Sequence, residues 1–327
     1  MGDEGRAVRA PGDRGLREAP PLPSSLTTGF EHAPVLAEEV AGLLAGRTRV
    51  LDGTVGGGGH AAGLIARGAR VLGVDRDADA VRAAGLRLGA SAQIRQGDFA
   101  EAAREPDVVA FRPDAVLLDL GVSSPQVDDP ARGFSFRPHT PLDMRMTAGR
   151  GRTAADWLNT MEEAALATAL RDWGDERRSR PLAREIVRRR ATRAFATSDD
   201  LVGAIRAVLG PRSGPDDFAR IFQAVRIVVN GELERLERAL PALLDVLAAG
   251  GVLAVISYHS GEDRVVKHAM REWARACVCP PAQPLCTCRG RPLGELLTRR
   301  PVRPSPREIQ RNPRARSARL RAFHKAA

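Results

Sequence analysis

The residues with types and spacing suited to chemistry stand at the ends of short apolar runs. RVLDGTVGGGGH, starting at Arg49, stops being apolar at Asp52 and passes through four glycines, Gly56 to Gly59, before His60 opens a helical pattern of Ala, Leu and Ile. Glycines accept positive φ and carry no side chain, so the turn is tight and a ligand can lie against the N–H groups at the helix start. Sixteen residues past Gly59, the run ARVLGV ends on Asp75, where a carboxylate can accept hydrogen bonds from both hydroxyls of a ribose. Together these predict a site for a nucleoside-bearing cofactor. Gly56, Gly58 and Ala61 also satisfy the G-x-G-x-x-G/A dinucleotide pattern, but a plain strand-to-helix turn in a Gly- and Ala-rich chain would do so too. The loop alone leaves dehydrogenase and methyltransferase chemistry open.

Three later strand ends narrow the choice. QGDFAE places Asp98 and Phe99 after a short strand, where Phe99 either walls a purine or fills core. AVLLDLGVSSPQ ends in Asp119, Ser123, Ser124, Pro125 and Gln126. A dehydrogenase has no particular need for a Ser-Ser-Pro-Gln loop, whereas methylation of an exocyclic amine does. The lone pair of such a nitrogen is spread into the ring, so acceptors must hold the NH2 group and localise it; Ser124 and the carbonyl of Ser124 or Pro125 suit that task. VLAVISYHS brings Tyr258, the single tyrosine, to a fifth strand end. Methylation at ring carbon C5 would instead require a cysteine thiolate, and all four cysteines lie beyond residue 276. Asp119 suits the positively charged methionine end of a sulfonium cofactor.

The elements that must position these residues alternate strand and helix, which predicts an α/β, doubly wound, Rossmann-like parallel sheet whose strand ends form one ligand crevice. Five strands are expected, ending near Asp52, Asp75, Arg95, Asp119 and Tyr258, with a leading helix over His32 to Leu44. Residues 1–28 lack apolar periodicity and read as a disordered extension. The sheet domain then occupies 29–132 and resumes at 218–288, around an arginine-rich helical insertion at 133–217 that grips substrate, with Arg184 and Arg188 able to share a face. A long helix is expected from about Asp217 to Ala248, interrupted near Asn230 and Pro241. The segment 289–327 reads as a basic tail: twelve Lys or Arg against two Glu, equal to the whole net charge of +10. A localised excess of that kind points to nucleic acid. No run approaches the ~20 apolar residues of a membrane span, and no signal core is present, so a cytoplasmic protein is expected.

After Phe30 the chain closely resembles the bacterial methyltransferase family RsmH, also called MraW. The shared runs are HAPVL, LDGTVGGGGH, GVDRD, GDF, LLDLGVSSPQ, GFSF with PLDMRM, FQAVRIVVNGEL, ISYHSGEDR, and RPVRPS with NPRARSARLR. The resemblance implies a methyltransferase domain with a helical insertion, using S-adenosylmethionine to methylate N4 of a cytidine in 16S ribosomal RNA of the small subunit. It also implies cofactor contacts at Gly58, Gly59, His60, Asp75, Phe99, Asp119 and Gln126. His139, Thr140, Thr147 and Gly261 depart from the family's usual pattern. Amino-methyltransferases often carry an aromatic residue where Gln126 stands, so a stacking partner for the target base is expected from Phe134, Phe136 or Tyr258.

Cys277, Cys279, Cys286 and Cys288 supply two C-x-C pairs across a proline-rich turn. In a reducing compartment such a cluster favours structural zinc over disulfides, with metal-free packing as the alternative.

Overall fold

The computed structural model describes residues 34–280, 282–283 and 285–327, with the side chains of Ser124 and Pro125 outside the described part. The expected N-terminal extension and His32 also lie outside it. Seven strands form one sheet: β1 (Arg49–Asp52), β2 (Arg70–Asp75), β3 (Ala92–Gln96), β4 (Ala115–Asp119), β5 (Val252–Ser257), β6 (Gly294–Leu296) and β7 (Arg319–Lys325). Their order is β3-β2-β1-β4-β5-β7-β6. The first five are parallel, and β7 runs antiparallel between β5 and β6. The five expected strands are present.

The sheet is wound on both faces. Helices α1 (Ala37–Leu43), α2 (Gly59–Ile65) and α3 (Ala78–Leu88) cover one face, where Val50, Val71, Leu117 and Ala254 point. The other face carries α4 (Phe99–Ala102) and α5 (Pro106–Phe111) against Leu51, Leu72, Leu118 and Leu253. Successive strand residues therefore serve opposite cores, as the two-residue period requires, and the central strands read as unbroken apolar runs because both sides are buried.

The short helix α6 (Ser124–Asp128) follows β4 and leads into the insertion: α7 (Ala154–Thr160), α8 (Glu163–Gly174), α9 (Ser179–Arg190), α10 (Ser198–Leu209) and α11 (Pro215–Asn230). These helices bury a third core of their own, including Trp157, Leu170, Ile186, Ile205 and Phe222. The helix expected from Asp217 to Ala248 with interruptions near Asn230 and Pro241 is two, α11 and α12 (Glu232–Val246): Gly231 takes φ +58° and ends the first beside Asn230, whereas Pro241 lies inside α12. The apolar residues of α11 pack into the insertion core, whereas Leu236, Leu240 and Leu243 of α12 pack on the sheet. The insertion core thus extends through α11, past the 217 boundary read from sequence.

The last helices are α13 (Ser260–Trp273) and α14 (Pro306–Arg311). Basic character in 289–327 hides an ordered segment: Arg321 of β7 is buried on Asp263 (2.6 Å), and Lys325 Nζ donates to the carbonyls of Leu244, Asp245 and Leu247 at the end of α12. Among the described residues no helix is long and apolar enough to cross a membrane.

Candidate functional site

The glycine loop leaves β1 through Gly53, where a Cβ would stand 2.6 Å from Leu118 Cδ2. At Gly58, φ is +77° and a Cβ would meet Leu88 at 3.1 Å, so both conformation and space demand glycine. Asp75, at the end of β2, ties the loop: its carboxylate accepts from Gly56 N and Asp77 N, both at 2.9 Å. Burial raises its pKa, against those two amides, which lower it. Each carboxylate oxygen has further acceptor capacity for a ribose hydroxyl. Gly59 lies against Pro34 in the approach to α1, where Leu36 holds an unusual φ of +55° while its N–H donates to Glu308 of α14 at 2.7 Å.

Asp119, at the end of β4, gathers the next three groups. Its own N–H donates to Thr54 Oγ1 at 2.6 Å, fixing the strand end against the glycine loop. The Tyr258 hydroxyl donates to Asp119 Oδ1 at 2.8 Å, and His60 Nε2 stands 3.5 Å from Asp119 Oδ2. Gly121 takes φ +95°, and the Tyr258 ring lies close over it. Burial and the neighbouring Asp119 charge hold the Tyr258 phenol protonated, with a pKa well above its usual value. Burial works against a charged His60, but Asp119, Asp52 and Glu308 outweigh it and raise its pKa. Asp52, only 1% exposed, is pushed up to about 7 by burial, partly offset by His60 and the Thr54 amide. His60 Nε2 is buried, with Asp119 as its nearest charged neighbour. The strand ends therefore bring Asp52, Asp75 and Asp119 together as an acidic cluster around His60.

Gln126 is buried as a strap. Its Nε2 donates to Asp77 Oδ2 at 2.7 Å, and its Oε1 accepts from Ser123 N at 3.0 Å, joining the loop after β4 to the loop after β2. Arg132 reaches the same Asp77 oxygen at 2.8 Å. Phe99 begins α4 half-buried, packed on the sheet core beside Gly53. The backbone of Ser124 and Pro125 opens α6 in the same loop. Asp75, Phe99, Asp119, Gln126 and Tyr258 thus all occupy the carboxyl edge of the sheet, while the four cysteines are elsewhere. Phe136 stacks edge-on with Phe218 and Phe222 inside the insertion.

Sequence reasoning missed the polar frame behind this edge. Tyr258 N donates to Glu262 Oε2 at 2.8 Å, and His259 Nε2 lies 3.3 Å from Glu262 Oε1. Burial would raise the pKa of Glu262, but His259 and Arg226 hold it below the usual carboxylate range. Arg226 of α11 pairs with both oxygens of Glu232 at 2.8 Å. Asn230 bonds Met146 N and Met144 O, both at 2.8 Å, pinning the PLDMRM loop to α11. The polar residues Arg226, Asn230 and Glu232 inside the largely apolar FQAVRIVVNGEL run were the available signal.

The family model described as the MraW methylase family aligns with residues 29–326. This chain belongs to the MraW methylase family. Its similarity extends to "Ribosomal RNA small subunit methyltransferase H" of Gemmatimonas aurantiaca, 57% identical over 316 residues that cover 95% of this chain and 99% of the relative. The proteins of the same name from Syntrophobacter fumaroxidans and Symbiobacterium thermophilum are 46% and 45% identical, each match covering 90% of this chain and 97% of the relative. Membership in the MraW methylase family agrees with the methylase reading of the strand-four loop over the dehydrogenase alternative.

Proposed function

We propose that this chain transfers a methyl group from S-adenosylmethionine to the exocyclic N4 amine of a cytidine in 16S ribosomal RNA of the small subunit. The observation that carries the cofactor choice is the charge of the ligand edge. Asp52, Asp75 and Asp119 converge there, with Glu308 within electrostatic reach of His60 and Tyr258. That field disfavours the pyrophosphate of a dinucleotide and favours the ammonium and sulfonium of S-adenosylmethionine. The buried His60, whose Nε2 stands 3.5 Å from Asp119 Oδ2, adds one basic group to that edge without neutralising its three carboxylates. The names of the relatives support the RNA substrate.

In this reading Gly58, Gly59 and His60 line the path of the cofactor, Asp75 accepts from the ribose and Phe99 walls the adenine. Asp119 faces the cationic end and Gln126 fixes the loop beneath. S-adenosylmethionine, when bound, supplies an electrophilic methyl on a positively charged sulfur. Ser124 and the carbonyl preceding Pro125 hold the target amine so that its lone pair faces that carbon in line; the C–N bond forms as the C–S bond breaks, and the amine proton leaves to water. Tyr258, its hydroxyl committed to Asp119 and its ring over Gly121, sets the wall between cofactor and base. The exposed Arg299, Arg300, Arg303 and Arg307 offer phosphate contacts on the surface.

Calorimetry with S-adenosylmethionine and NAD, followed by nucleoside mass spectrometry of small-subunit RNA treated with the protein, tests the proposal. Binding of the sulfonium cofactor and appearance of N4-methylcytidine are expected. NAD binding without S-adenosylmethionine binding, or methylation only at C5, would overturn it.

A further inference from the structure

The four cysteines lie far from the methyl-transfer edge. α13 begins beside Tyr258 and runs 14 residues, about 21 Å at 1.5 Å per residue, to the opposite end of the sheet. There the chain turns out as a loop and returns as β6, whose Gly294 pairs with Lys325 next to the first residues of β5. None of the described residues from 274 to 290 is buried, and Leu285 is 76% exposed. No apolar core holds this loop, so sulfur packing in a hydrophobic interior does not explain the cysteines.

Their geometry does. Sγ separations are 3.8 Å for Cys277–Cys286, 3.9 Å for Cys279–Cys286, 3.5 Å for Cys286–Cys288 and 3.8 Å for Cys277–Cys288. All four sulfurs lie within 4.8 Å of one another. A tetrahedral ion with Zn–S bonds of about 2.3 Å requires S···S edges of about 3.8 Å. Disulfides require about 2.05 Å and would draw the sulfurs into two pairs, whereas each of these thiols is free. A backbone amide adds a second observation: Val278 N donates to Cys288 Sγ at 3.3 Å. Donors of this kind stabilise thiolates.

We propose that Cys277, Cys279, Cys286 and Cys288 form a closed, mononuclear zinc site with a structural role. With four protein ligands the ion has no open position, as structural zinc requires. Its work is to close the 277–288 loop onto the end of α13, where Leu293 N bonds Trp273 O at 2.8 Å and Arg289 bonds the carbonyls of Glu272 and Arg275. Trp273 in turn packs edge-on against Phe323 of β7, with ring centroids 5.4 Å apart. The ion therefore secures the outer edge of the sheet, where β6 and β7 complete it.

The test uses full-length protein purified without a histidine tag in reducing buffer. Elemental mass spectrometry should find about one zinc per chain, and cobalt(II) replacing it should show thiolate charge-transfer and tetrahedral visible bands. Removing zinc with a strong chelator should raise hydrogen exchange over 277–293 while leaving S-adenosylmethionine affinity within about twofold, because the edges lie about 21 Å apart. Cys279→Ser combined with Cys286→Ser should abolish metal retention; should that variant fail to fold, the cobalt titration of the unaltered protein decides. Zinc-reconstituted protein retaining under about a tenth of an equivalent, absence of cobalt–thiolate bands, or iron as the resident ion would each overturn the assignment.

Discussion

Replacing Asp52 with asparagine probes the charge balance of the cofactor edge. Burial lifts the Asp52 carboxyl from 3.8 to about 7, a gap of three pKa units. Between those values the unfolded chain loses the proton while the folded protein keeps it, so stability falls as pH rises from about 4 to about 7 and stays reduced above that. At 1.36 kcal/mol per unit the ceiling on this cost is about 4 kcal/mol. His60, whose pKa is also raised, loses stability in the same direction as pH increases, so the two effects reinforce each other. The side-chain amide introduced by Asp52→Asn keeps an acceptor for the Thr54 N–H, which the Asp52 carboxylate binds at 3.2 Å, while removing the ionisation. Ligand-free Asp52→Asn should therefore unfold at a higher temperature than the unaltered protein at pH 8, by about 3 °C if half the ceiling is realised in a chain of 327 residues, with little difference at pH 4.5. A cationic cofactor should reverse the ranking. It favours ionised Asp52, so binding near pH 7 releases protons, measurable by calorimetry in buffers of differing ionisation enthalpy. Equal pH slopes for the two proteins, or proton uptake on binding, would refute the reasoning.

Three further outcomes follow from the same geometry. Asp75→Ala should weaken cofactor binding by about 1.5–3 kcal/mol in calorimetry, since it removes charged acceptors from both the ribose and the Gly56 amide; unchanged affinity would remove Asp75 from the site. Ser124→Ala should bind cofactor normally yet slow single-turnover methylation at saturating cofactor, the signature of an interaction made mainly in the transition state; wild-type rates would end its amine-holding role. Changing Arg299, Arg300, Arg303 and Arg307 to Gln should reduce the slope of log K against log salt for RNA by about 3, and a constant slope would show that RNA passes elsewhere.

Legibility followed sequence distance. The glycine loop, Asp75 and Asp119 could be read because each stands at the end of its own apolar run, where the parallel sheet forces ligands to gather. The partners of those residues could not. Tyr258 meets Asp119 across 139 positions, and Leu36 meets Glu308 across 272. No local pattern encodes such contacts. The strand β7 was hidden for a different reason: RLRAFHK alternates, but its Arg319 and Arg321 imitate a solvated basic stretch until Asp263 neutralises them. In the arginine-rich run of α9, Glu185 takes up Arg188 and Arg189, which hold its pKa down at about 2, so part of that charge is spent within the helix.

The polar frame behind Tyr258 makes the insertion and the cofactor edge one mechanical unit. Asp119 holds the phenol, Glu262 holds the Tyr258 amide, and Glu262 is kept charged by His259 and Arg226. Arg226 lies on the last insertion helix, one turn before Asn230 fastens the PLDMRM loop. Removing one partner from a buried ion pair of this kind leaves the other charge uncompensated, at a cost of about 3–5 kcal/mol. The position of Tyr258 therefore depends, through Glu262, on a residue of α11. The insertion is joined to the carboxyl edge of the sheet through this frame and through the strap of Gln126 and Asp77. Arg132 joins that strap to the insertion side by donating to the carbonyls of Arg145 and Met146. Both routes end on carboxylates of the ligand edge, Asp119 in one case and the Asp75–Asp77 turn in the other. The insertion and the carboxyl edge of the sheet are thereby linked through hydrogen bonds whose two ends lie on separate cores.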